Sequence, residues 1–387
     1  MSEATPAQLV PYVTGGAFIL AFVFGAIGNR TNFCTMGAVS DWVNMGDLNR
    51  MRMWLLAIAV AIIGSNALHL AGVVDLSKSL YQTPNFTWLS FIVGGLAFGV
   101  GMTLGSGCGS KTLIRIGAGN LKSVIVFVFL GIAAFMTLKG LLGAFRVAVL
   151  EPVSVALSTG QDLPSMLASA TGVGKNVCIV ALAAAIGGGL LVFVYLSREF
   201  RAGFDYTLGG VVTGLVVVGG WYVSGRLGYM AEDANTLQEA FVATNSGRME
   251  SFSFVAPLAY ALELVMFWTD KSKIVTYGIA SVVGVIAGSA AYALATRSFR
   301  WEGFRDASDT ANHMIGGMLM GFGGVTALGC TVGQGISGFS TLALGSIITF
   351  AAIVAGSAAT MKFLYWKMTR ESEQKTAISL TETSGRR

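Results

Sequence analysis

Residues 94–108 read GGLAFGVGMTLGSGC, and residues 316–330 read GGMLMGFGGVTALGC. Laid over each other without a gap, they agree at Gly94/Gly316, Gly95/Gly317, Gly99/Gly321, Gly101/Gly323, Gly107/Gly329 and Cys108/Cys330. Small residues recur in membrane helices for packing reasons alone. Here the glycine positions and the terminal cysteine agree together, which argues for internal duplication. A weaker echo, GGAFILAFVFGA at 15–26 against GGVVTGLVVVGG at 209–220, extends the repeat. Its offset is 194 residues against 222 for the cysteine segments. The second half therefore carries an insertion, most simply 225–250.

The surrounding chain is membrane-like. Of its 387 residues 54% are apolar and 12% charged, with mean hydropathy +0.68. Soluble domains carry about 25% charged residues. The runs 121–142, 177–196 and 341–366 approach the roughly 20 residues a helix needs to cross hydrocarbon. None alternates apolar and polar as a barrel strand does. The expectation is an all-α polytopic membrane protein with about nine transmembrane helices, short re-entrant helices and an inverted internal repeat. The first basic residue is Arg30, so no cleavable signal peptide is expected. Net charge is +5 with basic residues at helix ends, a topology signal rather than a nucleic-acid surface. No GxxxxGK[ST] stretch is present. The cysteine spacings suit neither a disulfide framework nor a zinc site, and no metal or other cofactor is expected.

The expected division is a first half at 1–174 with Cys34 and Cys108, a linking helix at 175–205, a second half at 206–368 with Cys330, and a basic tail at 369–387. The stretch 250–295, with Pro257, Glu263, Asp270, Lys271 and Lys273, reads as two spans or as one span plus a re-entrant segment. Lysine and arginine in the tail place the C-terminus in the cytoplasm and, with an odd number of spans, the N-terminus outside. The loop with Arg297, Arg300 and Arg305 is expected outside, against that rule.

The segments after the cysteines, GSKTLIRIGAGN and TVGQGISGFS, are too short to span and read as helix breaks followed by short helices. Such backbone is tolerated at membrane depth only where protein or a watery cavity surrounds it. Helix N-termini favour anions, and Ser110, Thr112, Thr331 and Gln334 add neutral donors. A thiol is a weak donor with a soft sulfur atom, suited to a sulfur-bearing anion. Cys178, in VCIVALAAA, reads as a small buried hydrophobe. Near 225–230 the second half has GRLGYM where Cys34 would recur, so any path is asymmetric.

NRTNFCTMGAVSD, GSGCGSKTLIRIGAGNL and ALGCTVGQGISG resemble signature segments of the YeeE/YedE family of bacterial membrane proteins. The resemblance implies an hourglass-shaped inverted repeat importing thiosulfate across the inner membrane. It also implies that Cys34, Cys108 and Cys330 line a central path handing the anion on by S–H···S hydrogen bonds. Lys111 departs from the usual small residue after GCGS. The family also includes members linked to selenium. The candidate substrate-binding residues are thus Cys34, Cys108, Cys330, Gly107, Gly109, Gly329, Thr331, Ser110, Lys111, Arg30 and Gln334. Arg30 is four residues before Cys34 and would share its face if 29–42 were helical. Arg115 and Lys122 read as solvated cytoplasmic charges. Glu263 is a candidate intramembrane acid, while His69 and His313 read as interfacial or capping residues. Gly95/Gly99 and Gly317/Gly321 are read as close-packing pairs.

The expected partners are thiosulfate or a similar small sulfur anion, the lipid bilayer, and a cytoplasmic sulfur-carrier protein of the TusA type docking on the tail. The competing readings are a selenium-compound transporter, a membrane thiol sulfurtransferase forming a cysteine persulfide, and a non-transporting scaffold. No base lies visibly beside a thiol, so the chain is not expected to be an enzyme.

Overall fold

The structure is a computed structural model and describes residues 6–232, 237–304 and 306–384. Arg305, Arg386 and Arg387 lie outside the described residues, as do the side chains beyond Arg370, Lys375 among them. The helices that build the bundle are α1 (Pro6–Arg30), α2 (Thr35–Ser40), α3 (Asn49–Leu70), α4 (Trp88–Leu104), α5 (Gly109–Gly117) and α6 (Leu121–Lys139). They continue as α7 (Lys175–Tyr195), α8 (Phe204–Tyr222), α9 (Ala256–Met266), α10 (Tyr277–Ala295), α11 (Ala307–Thr326) and α12 (Leu344–Ser384). Sheet is confined, among the described residues, to two-residue ladders pairing 85–86 with 155–156 and 229–230 with 240–241.

Among the described residues, eight helical stretches are long and apolar enough to cross a membrane. At 20 residues and about 1.5 Å per residue, α11 is also long enough. Its first turns carry Asp309, Asn312 and His313, which dilute its apolar character. The ambiguous stretch 250–295 resolves into α9 and α10. With 11 residues, α9 reaches about half the thickness of the hydrocarbon core.

Glycine lets these helices touch backbone to backbone. A Cβ on Gly99 would stand 2.3 Å from the Ile353 carbonyl oxygen, and one on Gly321 would stand 2.4 Å from that of Leu130. In lipid there is no water to expel, so association rests on such close dispersion contact. The contacts also fix direction. Gly94 meets Gly323 and Ala327 while Gly101 meets Gly316 and Met320, so α4 and α11 run antiparallel. Gly95 meets Thr349 and Ala352, and Gly99 meets Ile353 and Ser357, so α4 and α12 run the same way. By the same reasoning α6 runs with α11 and α3 with α8. The partnerships are exchanged between halves: α1 packs on α10 and α8 on α3, while α6 packs on α11 and α12 on α4.

Two faces follow from these directions. One, the C-terminal face, holds the ends of α1, α4, α10 and α12 and the starts of α3, α6, α8 and α11. It is stapled by Arg30–Asp205 at 3.1 Å, Lys122–Asp309 at 2.8 Å and the Asn120 amide donating to Glu302 at 2.6 Å. The opposite face carries Lys139–Glu263 at 3.4 Å and Lys175–Asp162 at 3.6 Å. The loop with Arg297 and Arg300 donates the Arg300 N–H to the Ala118 carbonyl. It therefore lies on the C-terminal face, not opposite it as the sequence reading had it, because two helices, α11 and α12, separate it from the end of the chain.

Candidate functional site

Each of the three cysteines follows the same backbone device. Two residues before it, a residue other than glycine adopts the left-handed conformation: Asn32 (φ 53°), Ser106 (φ 57°) and Leu328 (φ 59°). The residue between sends its N–H back to a carbonyl five positions earlier. These bonds are Phe33 to Gly28 at 3.1 Å, Gly107 to Met102 at 2.9 Å and Gly329 to Gly324 at 2.7 Å. This is a Schellman closure, the usual way to end a helix. A left-handed residue with a Cβ costs about 1 kcal/mol, so the break is held by its surroundings.

The cysteine then starts a new short helix. Its carbonyl accepts the first bond: Ala38 to Cys34 at 3.0 Å, Thr112 to Cys108 at 2.9 Å and Gln334 to Cys330 at 2.7 Å. After Cys330 the new helix passes into π-helical turns, Gly333–Gly338. The sulfurs themselves act as caps. Cys34 Sγ accepts the Gly37 N–H at 3.4 Å, and Cys330 Sγ accepts those of Phe254 at 3.3 Å and Gly333 at 3.4 Å. Cys108 Sγ instead meets the Ser110 hydroxyl at 3.3 Å, and no side chain caps α5. The start of α5 therefore keeps N–H groups free to face an anion.

The Cys34 and Cys330 sites each neighbour that of Cys108. Cys108 is near enough to act electrostatically on both Cys34 and Cys330. All three are buried, Cys108 and Cys330 completely. Phe254 joins the last two: its N–H donates to Cys330, and its carbonyl oxygen would stand 2.5 Å from a Cβ on Gly109. An aromatic file runs from Phe33, next to Cys34, to Phe254, which donates to Cys330. Phe33 meets Phe24 at 6.2 Å, Phe24 stacks on Phe254 at 5.7 Å, and Phe254 stacks on Phe252 at 6.2 Å.

Buried donors without partners collect beside the thiols. Thr35 follows Cys34 and Thr331 follows Cys330, and both hydroxyls are buried without a hydrogen-bond partner. Lys111 on α5 is buried, and its ammonium donates to the Asn32 side-chain oxygen, tying the Cys108 break to the Cys34 break. No carboxylate pairs with it among the described ion pairs. Gly107 faces the stem of Lys111, with a Cβ there 3.2 Å from Lys111 Cγ.

Other expected residues play different parts. Gln334 spends its amide on the Ala327 carbonyl and accepts from the Ser346 hydroxyl. It braces the break, and a Cβ on Gly329 would stand 3.1 Å from its Cγ. Residues 29–42 are not one helix, since α1 ends at Arg30 and α2 starts at Thr35. Arg30 therefore does not sit one turn from Cys34. It lies half-exposed in a vestibule of about 530 Å³ on the C-terminal face, lined also by Asn32, Arg50 and Asp205. Lys122 is not solvated, and Arg115 is only partly so. Arg115 donates to the Ser106 carbonyl at 2.7 Å, bracing the second break, and Lys122 is buried against Asp309. Glu263 is held by Lys273 at 2.7 Å and by Lys139. His69 and His313 hydrogen-bond nearby backbone, and Cys178 is buried in α7. At the fourth break, π-helical turns at Val223–Leu227 replace a thiol site, and Gly225 packs on the Met249 sulfur.

Sequence reasoning missed Asn32, Thr35, Phe254 and Lys111's tie to Asn32. Thr35 and Thr331 were legible as a shared Cys-Thr pair in NFCTMG and GCTVGQ. The contact of Phe254 with Cys330 is 76 residues apart in sequence, and no local signal marks it.

A helical membrane bundle with broken helices meeting at mid-bundle thiols is the architecture of a transport protein. A profile described as sulphur transport matches residues 30–359, and the chain belongs to that family. It is a multi-pass membrane protein that transports a sulfur compound and is not an enzyme. The chain is 26% identical over 328 residues to the thiosulfate transporter TsuA of Escherichia coli K12, covering 82% of this chain and 85% of that one. It is 25% identical over 349 residues to TsuA of Spirochaeta thermophila, covering 88% and 95%.

Proposed function

We propose that this protein is a permease of the bacterial cytoplasmic membrane that imports thiosulfate, or a closely related small sulfur anion, past Cys330, then Cys108, then Cys34. The observation that carries the reading is the thrice-built break, with Cys108 within electrostatic range of both other thiols. Thiosulfate has a soft terminal sulfur and three hard oxygens. A protonated thiol offers S–H to the sulfur, and the free Thr35 and Thr331 hydroxyls and the start of α5 offer donors to the oxygens. These contacts are individually weak, which lets the anion leave again. Both TsuA relatives carry thiosulfate in their names.

The exchanged helix partnerships and the antiparallel α4/α11 pair support an inverted repeat. In it Cys34 and Cys108 belong to 1–174, Cys330 to 206–368, and 175–205 links them. The C-terminal face carries Arg30, Arg50, Arg52, Arg115, Lys122, Arg297, Arg300, Lys367 and Arg370. Their number, with Arg198, Arg201 and Lys362 added, exceeds the eight among the described residues of the opposite face and supports reading this face as cytoplasmic, with the N-terminus outside. Transport then runs toward the buried Lys111 and the Arg30–Arg50 vestibule. A TusA-type sulfur carrier docking at that vestibule and the basic tail would take the anion up.

The test is uptake of labelled thiosulfate by vesicles holding the purified protein. Wild type and Cys178→Ala transport; Cys108→Ala and Cys330→Ala, folded and monodisperse, do not. Normal uptake by both path variants would defeat the reading. Sulfite, sulfate and selenite as competitors rank the substrates.

A further inference from the structure

A cavity of about 140 Å³ lies on the face opposite the C-terminal one and ends against Leu328 and Gly329, the two residues before Cys330. Its outer wall is the exposed loop at Asn245 and Ser246. Tyr81, Tyr260 and Tyr277 line it, and the Tyr277 hydroxyl is buried beside Ser251. One carboxyl group lines it too, that of Glu250, which accepts the Ser246 N–H at 2.8 Å.

We propose that this cavity is the entry site for the sulfur anion and that Glu250 is its charge gate. The site accepts the anion when the Glu250 carboxyl is protonated and rejects it when the carboxyl is ionised. The inference rests on the transport reading above and adds to it a binding site and a control. An anion bound there takes a hydrogen bond from Tyr277 and, with Glu250 neutral, one from the carboxyl O–H. An ionised Glu250 offers neither donor nor neutrality, and in a cavity walled by protein its repulsion is poorly screened. Among the described residues no unpaired cation stands beside it. Lys78 is held by Glu239, Lys139 and Lys273 are held by Glu263, and Arg248 lies on the exposed loop. The three tyrosines stay neutral across the physiological range.

Burial raises Glu250 above the usual carboxylate range, with the hydrogen bonds from Ser246 opposing. The proton is held below that raised value and lost as pH climbs through it. Entry is therefore favoured on the acid side.

The experiment is thiosulfate uptake by vesicles at external pH values from 5 to 8, with lumenal pH fixed. In wild type, KM is flat at low pH and rises by up to tenfold per pH unit above the midpoint, the slope of a single-proton linkage. Glu250→Gln keeps the low KM at every pH, so at pH 8 it outperforms wild type, which a misfolded protein cannot do. Glu250→Asp keeps the pH dependence with a moved midpoint. A Glu250→Gln profile that follows wild type, or a wild-type KM independent of pH, overturns the gate and leaves transport standing. If Glu250→Gln does not fold, the wild-type and Glu250→Asp profiles decide. Wild-type vesicles that take up no thiosulfate at any pH overturn both readings.

Discussion

Gly109→Ala perturbs the join between two of the three breaks. Gly109 opens α5, where alanine is normally better than glycine by about 0.5–1 kcal/mol. Here the new Cβ would stand 2.5 Å from the Phe254 carbonyl oxygen, whereas a comfortable C···O approach is about 3.3 Å. Something must move by about 0.8 Å, and the obstacle is backbone. The Phe254 N–H to Cys330 Sγ bond, already 3.3 Å, would stretch past useful length. Overpacking of this kind costs about 1–3 kcal/mol, and a lost hydrogen bond about 1 kcal/mol. The expectation is a lower thermal midpoint and uptake reduced at least about fivefold, the rate equivalent of 1 kcal/mol. Gly107→Ala is the internal control, because its Cβ meets only the flexible stem of Lys111 at 3.2 Å. It should retain most uptake. Thermal unfolding followed by intrinsic fluorescence and vesicle uptake read both effects. Gly109→Ala with wild-type stability and uptake would refute the idea that Phe254 knits Cys108 to Cys330.

Three further outcomes follow from the same geometry. Lys111→Met removes a buried cation and strands the Asn32 oxygen that accepts from it; uptake should fall by about tenfold or more while Lys111→Arg retains part of it, and equal uptake by Lys111→Met would remove the cation from the path. Thr331→Val removes a hydroxyl that bonds nothing in the protein, so stability should hold within about 1 kcal/mol while thiosulfate KM rises; an unchanged KM would show that the hydroxyl never meets the anion. Intact-mass analysis after thiosulfate exposure should show no added sulfur, since hand-over by hydrogen bonds leaves no adduct; a persulfide on Cys34, Cys108 or Cys330 would contradict that hand-over.

The membrane class and the three thiol segments were legible because their signals are local. Long apolar runs and a repeated Gly-Cys ending need no tertiary knowledge. The short α9 was not settled by sequence, because an 11-residue apolar helix and part of a span look alike until the packing of Glu263 against Lys139 and Lys273 is seen. Nor was the break at Asn32. Asparagine tolerates the left-handed region, but it is equally at home in loops and caps. Ser106 and Leu328 carry no such hint. Gln334 was misread for a general reason: an amide can face a ligand or brace a turn, and only Ala327 and Ser346 decide between them. Lys122 was misread because a charge at a helix end is solvated by default, and here Asp309 pairs with it, while Arg115 keeps part of its exposure and bonds Ser106. The cavity at Glu250 is assembled from segments as distant as Tyr81 and Gly329, so no local pattern announces it.

The central claim is that one anion meets three thiols in turn. Selenosulfate, a thiosulfate analogue with a heavy terminal atom, locates that encounter directly by anomalous diffraction from crystals of the wild-type protein. The account predicts selenium peaks in contact with Cys330, Cys108 or Cys34 along a single file, strongest at the start of α5 beside Cys108. Selenium found only on the outer surface, or bound away from every one of these sulfurs, would contradict it.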